Sequence, residues 1–388
     1  MKFLPAAAIV LMCFPALAGS LSGKEADTLF RSGMAAAAEG RNNEAIENFR
    51  HLLRGVPSPR VKLELARVLL KEGRYRESLS LFREVYKDSS TPMAVKRNIL
   101  PFMEEAELRV VRVRYGIRAV SDNNPSRVSE GGTIYFNGIP MEYQPPAAKR
   151  TSYGAEPWLS VERLWENGYL TRFNTSAKLY EERELRSGLF KFSTAKRLDN
   201  LGGVFIQGAV ETEIWDDTHY VMPSVEAWKR VKLSDRAGVG FGAQFGYMSF
   251  DNEEISGPYY RSYAFGDWTF RPNATAFANI SVEHLNSSND HYSYYTPAAT
   301  LGISFKIGGA VLTPAVTAKT TRFVEYDPFF GVTRKDVTLR PSVSFSHDRI
   351  EWNGIKPALT LFHEERDSNI DIYDYKQTGG FISFTRSF

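Results

Sequence analysis

Hydrophobic residues change their period once along the 388-residue chain, near Val110. From about Lys24 to Leu108 they recur at helical spacing, whereas from Val110 onward they alternate with polar residues. The clearest alternation runs from Ala237 to Ser249. There Ala237, Val239, Phe241, Ala243, Phe245 and Tyr247 stand on one face, and Gly238, Gly240, Gly242, Gln244 and Gly246 on the other. The same scheme sets Phe173, Ala177 and Leu179 against Arg172, Asn174, Ser176 and Lys178. It recurs with Leu301, Ile303 and Phe305, and with Val337, Leu339, Val343 and Phe345. In a soluble sandwich the second face would be exposed to water or buried as core, and an apolar row beside a polar row on strand after strand fits lipid outside and a polar lumen inside.

This pattern predicts fourteen strands, at 111–122, 152–163, 169–181, 189–198, 204–215, 220–231, 236–250, 259–271, 275–285, 294–306, 310–321, 334–346, 354–365 and 376–388. An even number places both ends of the sheet on one side of a membrane. Connections after even-numbered strands are mostly short (Ser234-Asp235, Pro272-Asn273, Gly308-Gly309), and several after odd ones are long, notably 123–151, 251–258, 286–293, 322–333 and 366–375. Short periplasmic turns and long outer loops are the asymmetry expected of an outer-membrane barrel. Pro314, Pro341 and Pro357 fall inside these strands and are expected to mark bulges or edge-like pairing.

In the last strand, Ile382, Phe384 and Phe388 form the expected lipid row, with Ser383, Thr385 and Ser387 toward the lumen. Thr378, Gly379, Ile382 and Phe384 give a polar residue, a glycine and hydrophobics two apart, similar to the signal read by the barrel-assembly machinery; Arg386 departs from it. Outer-membrane lipid and that machinery are therefore expected partners. A terminal strand of a soluble sheet accounts for the same segment.

At the other end, Lys2 precedes an apolar stretch from Phe3 to Leu17, and Ala16-Leu17-Ala18 is a small-x-small cleavage site. Residues 1–18 are read as a secretory signal peptide. Cys13, the one cysteine, lies within it, so the expected mature chain has no thiol, which suits passage through an oxidising periplasm. No later segment has the run of about eighteen apolar residues that a membrane helix needs. The 19 Tyr and 26 Phe sit in a chain of slightly negative mean hydropathy, as expected when ring-rich and polar faces alternate. A net charge of +3 argues against nucleic acid as a partner.

The helical segment repeats. Gly40 and Gly73, Ala45 and Ser78, and Phe49 and Phe82 are each 33 residues apart, with Gly33 and Ala66 at the small-residue contact. This is tetratricopeptide spacing: a short α-solenoid over residues 19–109, closed by a helix from Pro92 to Leu108 that Pro101 bends. Such an array presents a concave groove to an extended peptide. Position in the repeat puts Asp27, Phe30 and Met34, then Arg60, Leu63 and Arg67, along it, although each also has a plain use as helix surface or core.

Nothing in the chain reads as an active site, and no enzyme activity, cofactor or metal is expected. His51, His219, His284, His291, His347 and His363 form no pair at ligand spacing. Gly238-x-Gly240-x-Gly242 lies in a strand with no helix after it, unlike a dinucleotide loop. His284 and His363 fall near strand ends, at the interface or in the lumen. Arg172, Lys178, Glu283, Lys319 and Arg340 are the charges a water-filled or plugged interior needs.

A signal peptide, a repeat segment running Val61-Lys62-Leu63-Glu64-Leu65-Ala66-Arg67 then Gly73-Arg74-Tyr75, and a barrel over residues 110–388 together resemble the surface lipoprotein assembly modulator (Slam) family. The resemblance implies a translocator that moves a surface lipoprotein, or a related secreted protein, across the outer membrane, with the helical domain in the periplasm as client receptor or gate. Two other readings stand beside it. One is a polysaccharide-export porin, which usually carries a longer helical array. The other is a passive pore or host-contact protein with the helices as plug or tether.

Overall fold

The computed structural model describes residues 22–129, 131–136, 138–144, 151–165, 167–215 and 218–387. The expected signal peptide and Phe388 lie outside the described residues. The chain divides between Val110 and Val111 into two compact units.

The first unit holds five helices: α1 (Gly23–Ala38), α2 (Asn42–Gly55), α3 (Pro59–Lys71), α4 (Tyr75–Lys87) and α5 (Met93–Arg109). Ser22 caps α1 in a capping box with Glu25, whose carboxylate the Ser22 backbone N–H and hydroxyl hold below the usual glutamate range. Pro59 opens α3 at a position where its missing N–H has no partner to lose. Gly40 and Gly73 sit at the ends of α1 and α3 with φ of +76° and +75°, a region that favours glycine. The repeat is built around Phe49 and Phe82, both 0% exposed. A Cβ on Gly33 would lie 2.8 Å from Phe49 Cε1, so the small residue lets α1 and α2 approach. Ser78, in the register of Ala45, is buried and donates its hydroxyl to the Ala66 carbonyl at 2.7 Å. Helix α5 continues through Pro101 and lays Ile99 and Phe102 on the second core cluster, with the Phe102 ring 5.9 Å from that of Phe82.

In the second unit fourteen antiparallel strands close into a barrel. β1 (Val111–Asp122) is followed by a hairpin, β2 (Gly132–Phe136) and β3 (Ile139–Tyr143), outside the barrel wall. The wall resumes with β4 (Ser152–Leu164), β5 (Tyr169–Tyr180), β6 (Ser187–Leu198), β7 (Val204–Ile214) and β8 (His219–Ser234). Next come β9 (Ala237–Phe250), β10 (Gly257–Arg271), β11 (Ala274–Leu285) and β12 (Tyr294–Ile307). β13 (Ala310–Asp327), β14 (Val332–His347), β15 (Ile355–Ser368) and β16 (Tyr375–Ser387) complete it, and β16 pairs with β1. All the predicted wall strands are present. The β2–β3 hairpin was expected only as loop, and the expected 322–333 loop shrinks to 328–331 because β13 runs on through a bulge between Arg322 and Tyr326. Gly308 and Gly309, at φ +56° and +95°, make the two-residue turn between β12 and β13 that matches strand twist.

Burial inverts the order of a soluble protein. Leu301 is 62% exposed, Ile280 55% and Phe245 54%, all on the outer face, while the inward Asp336 and Glu364 are 3% and 4% exposed. An outer surface of this kind is stable against acyl chains, not water, and the barrel is that of an outer-membrane protein.

The prolines take the edge-like alternative and not the bulge. Pro314, Pro341 and Pro357 each keep a cross-strand partner on one side, while on the other side the ladder skips or stops. Between β12 and β13 pairing passes from Gly302↔Ala315 to Phe305↔Leu312, and between β14 and β15 from Leu339↔Glu365 to Ser342↔Phe362. Pro157, Pro223 and Pro297 show the same one-sided gaps. The missing N–H is the reason: a proline can serve one neighbour as acceptor but donates to neither. Register shifts occur elsewhere, at Lys232/Ser234, Thr269/Arg271 and Arg322/Tyr326.

Truncating Phe49 or Phe82 to Ala is expected to destabilise the helical unit by about 3–5 kcal/mol each. Helical circular dichroism of the purified full chain should then melt earlier, while the barrel's slow-to-fast gel shift on omitting heat should not move.

Candidate functional site

Three features invite a functional reading: a face of the helical unit, the barrel lumen, and the strand that closes the barrel. In the helical unit the structure brings several of the predicted groove residues together. The Arg60 guanidinium lies 4.9 Å from the centre of the Phe30 ring, and that ring is 6.0 Å from Phe49 in the core. Leu63 is half-buried against the second cluster, and Arg67 lies 5.3 Å over the ring of Phe102. Met34 remains exposed at 38%. Asp27 pairs with Arg31 at 2.9 Å with both side chains in solvent, a contact of small energy. Phe102 of α5 joins this face, which position in the repeat alone does not show.

The lumen is lined by cross-strand charge pairs. Glu162 on β4 takes Arg112 from β1 at 3.0 Å and Arg172 from β5 at 2.5 Å. Glu211 on β7 accepts from Lys191 at 2.8 Å and from the Tyr220 hydroxyl at 2.7 Å; Glu226 accepts from Tyr263 and Gln207. On the far wall Arg334 and Arg366 face Asp336, while Arg340 and Arg127 face Glu364 at 3.5 and 3.6 Å. Glu162, Glu211 and Glu364 thus hold partners on neighbouring strands, which offsets the desolvation cost of an inward charge, while Arg334 and Asp336 pair along one strand. The predicted lumen residues Arg172, Lys178, Glu283, Lys319 and Arg340 all lie on inward registers. The bare glycine row of β9 has an added use: rings from β10 lie flat on it, and a Cβ at Gly240 would sit 2.2 Å from Phe265 Cζ.

The closing strand carries the expected assembly residues. Ile382 and Phe384 face outward, 43% and 40% exposed, opposite Ala119 and Ile117 of β1. Gly379 lies inward, where a Cβ would meet the Phe362 ring and the Ser121 carbonyl, both at 2.8 Å. Arg386 is on the outward face close to the strand end, where a long side chain can reach the headgroup layer. The loop after β1 then locks this seam. Asn123 exchanges hydrogen bonds with the backbone of Thr378, and the wholly buried Asn124 donates to the carbonyls of Val128 and Lys376 at 2.9 and 3.0 Å. Arg127, held at φ 54°, reaches Glu364 and the Tyr375 ring.

His284 lies outward in an aromatic row, 4.0 Å from the Tyr295 ring, and His363 bonds Thr378 Oγ1 at 2.7 Å on the outer face. Both belong to the wall. Among the described residues no three His, Cys, Asp or Glu side chains gather as a metal site would need.

A model of the surface lipoprotein assembly modifier family matches residues 245–388. Over 384 residues the chain is 22% identical to surface lipoprotein assembly modifier 1 of Neisseria meningitidis serogroup B (strain ATCC BAA-335 / MC58), covering 93% of this chain and 75% of that protein. The resemblance read from the sequence is thus found again, both in the last third of the chain and across its length. Among solved structures, the outer membrane channel DcaP of Acinetobacter baumannii covers 72% of this chain and 97% of its own at 11% identity and a TM-score of 0.44. An anion-selective porin from Comamonas acidovorans is similar over 72% of this chain and 99% of its own, at 7% identity and a TM-score of 0.42.

Asn124→Ala removes hydrogen bonds that nothing else replaces and should lower the stability of the closed seam by about 1–3 kcal/mol. The measurement is the temperature at which the fast-migrating folded band is lost. Removing Phe388 together with Phe384→Ala should cut the amount of folded barrel in the outer membrane; undiminished folded levels would show that this row is not an assembly signal.

Proposed function

We propose that this chain is an outer-membrane translocator that delivers a specific surface lipoprotein, or a related secreted protein, to the cell surface. The observation that carries the reading is the similarity to surface lipoprotein assembly modifier 1 over 93% of this chain and 75% of that protein, joined to a chain that combines a helical repeat unit with a polar-lined barrel. No nucleotide is available in the periplasm, so the drive must come from client folding outside the cell or from differences in binding. A helical unit tethered directly to β1 raises the client concentration at the barrel without any new contact. A client able to form strands has a further route, by pairing transiently with a strand edge. In this reading the helical unit is the periplasmic receptor or gate, the lumen is the conduit, and the protein supplies no chemistry.

The test uses intact cells expressing a genomically adjacent secreted or lipidated candidate, with and without this chain, treated with protease or an antibody to the candidate. Surface exposure should require the chain. If no such candidate depends on it, a passive pore accounts for the barrel instead. Deleting residues 24–108 should leave a folded barrel that no longer exports; a plug, by contrast, would leave an open channel.

A further inference from the structure

The face formed by α1, α3 and α5 carries two arginines stacked on rings of the flanking helices. Arg60 stacks on Phe30 of α1 and has no ion-pair partner among the described residues, whereas the helical unit pairs Arg50, Arg74 and Arg83 with glutamates. Arg67 stacks on Phe102 of α5, and its Nε is buried with no hydrogen-bond partner. Glu64, one turn away, touches Arg67 through Nη1 alone, at 3.2 and 3.4 Å. A ring beneath a guanidinium fixes its plane and leaves its edge to a carboxylate; at Arg67 the donor left for one is Nη2, since Nε is buried and Nη1 is on Glu64. Leu63 lies between the two arginines on the same helix and provides an apolar floor.

We propose that this face binds an extended acidic polypeptide segment, with two carboxylates three residues apart, one on Arg60 and one on Arg67. The spacing follows from two helix geometries. Residues seven apart on an α-helix have α-carbons about 10.5 Å apart along its axis. In a polyproline-type strand, residues three apart lie on one side at about 9.3 Å. Each carboxylate gains charge-assisted bonds from a guanidinium whose orientation is already set, so little rotamer freedom is lost on binding. The segment's cellular role, as part of an exported client, rests on the translocator reading; its binding chemistry does not.

The experiment measures fluorescence anisotropy of a fluorescein-labelled Pro/Ala dodecapeptide with two Glu three positions apart, added to the full-length protein in detergent micelles. The same peptide with adjacent Glu, and with both Glu replaced by Gln, serve for comparison. Binding should favour the three-residue spacing, and Arg60→Gln or Arg67→Gln should weaken it about tenfold. Arg54→Gln, which removes the same charge from α2, should not. Arg60→Lys keeps the charge and the aliphatic stem but not the planar fork, and it should abolish the spacing preference with helical circular dichroism intact. Equal affinity for the three peptides, or an equal loss from Arg54→Gln, would overturn the site. Client export dependent on the chain together with indifferent peptide binding would reject this site and keep the translocator reading; the reverse result would keep the site and reject export.

Discussion

Hydrocarbon offers no partner to a backbone N–H or carbonyl, so a sheet can sit in a membrane only if its last strand bonds its first. In this protein that requirement falls on the pairing of β1 with β16, which runs from Arg114↔Ser387 to Asp122↔Gly379. Because that pairing is antiparallel, as all the others are, the number of wall strands must be even and both ends of the wall emerge on one side. The structure at the outer end of the seam follows from closure too. Asn123, Asn124 and Arg127 fold back over β16 where the ladder finishes, replacing strand pairing by side-chain hydrogen bonds and a contact with Glu364.

Closure also decides where charge can go. With the outer face given to lipid, Glu162, Glu211 and Glu364 stand on inward registers, and each has a counter-charge on a neighbouring strand. Glu162 between Arg112 and Arg172 shows the result, one carboxylate tying three adjacent strands together through their side chains. A helical array faces water on its outside and obeys no such restriction. There Arg60 and Arg67 can be displayed on rings, Arg60 with no ion-pair partner among the described residues and Arg67 held by Glu64 through Nη1 alone.

Much of this was legible in the sequence because the barrel's two faces differ so strongly in polarity. Alternation alone located the strands, since a slip by one residue would put Phe241 or Leu301 into the lumen. The helical recurrence of Gly33, Phe49 and Phe82 was equally plain, because a glycine under a ring is a steric necessity. Alternation carried no information about the β2–β3 hairpin, whose five-residue strands pair with each other and not with the wall. Nor did it show the lock made by Asn124, whose partners Val128 and Lys376 depend on how β1 and β16 meet. The groove residues were placed by repeat position, but the stacking of Arg67 on Phe102 required knowing how α5 lies on α3.

The outward prolines give the wall an uneven elasticity. Pro297 and Pro314 both interrupt the β12–β13 ladder, and Pro341 and Pro357 leave that between β14 and β15 broken or short. Neighbouring strands joined by fewer hydrogen bonds resist shear less, so the wall yields along these lines before it yields elsewhere. The closing seam is not among the interrupted ladders, since its pairing from Arg114 to Asp122 is continuous. A barrel strained from within would therefore deform along particular meridians while its circumference stayed closed.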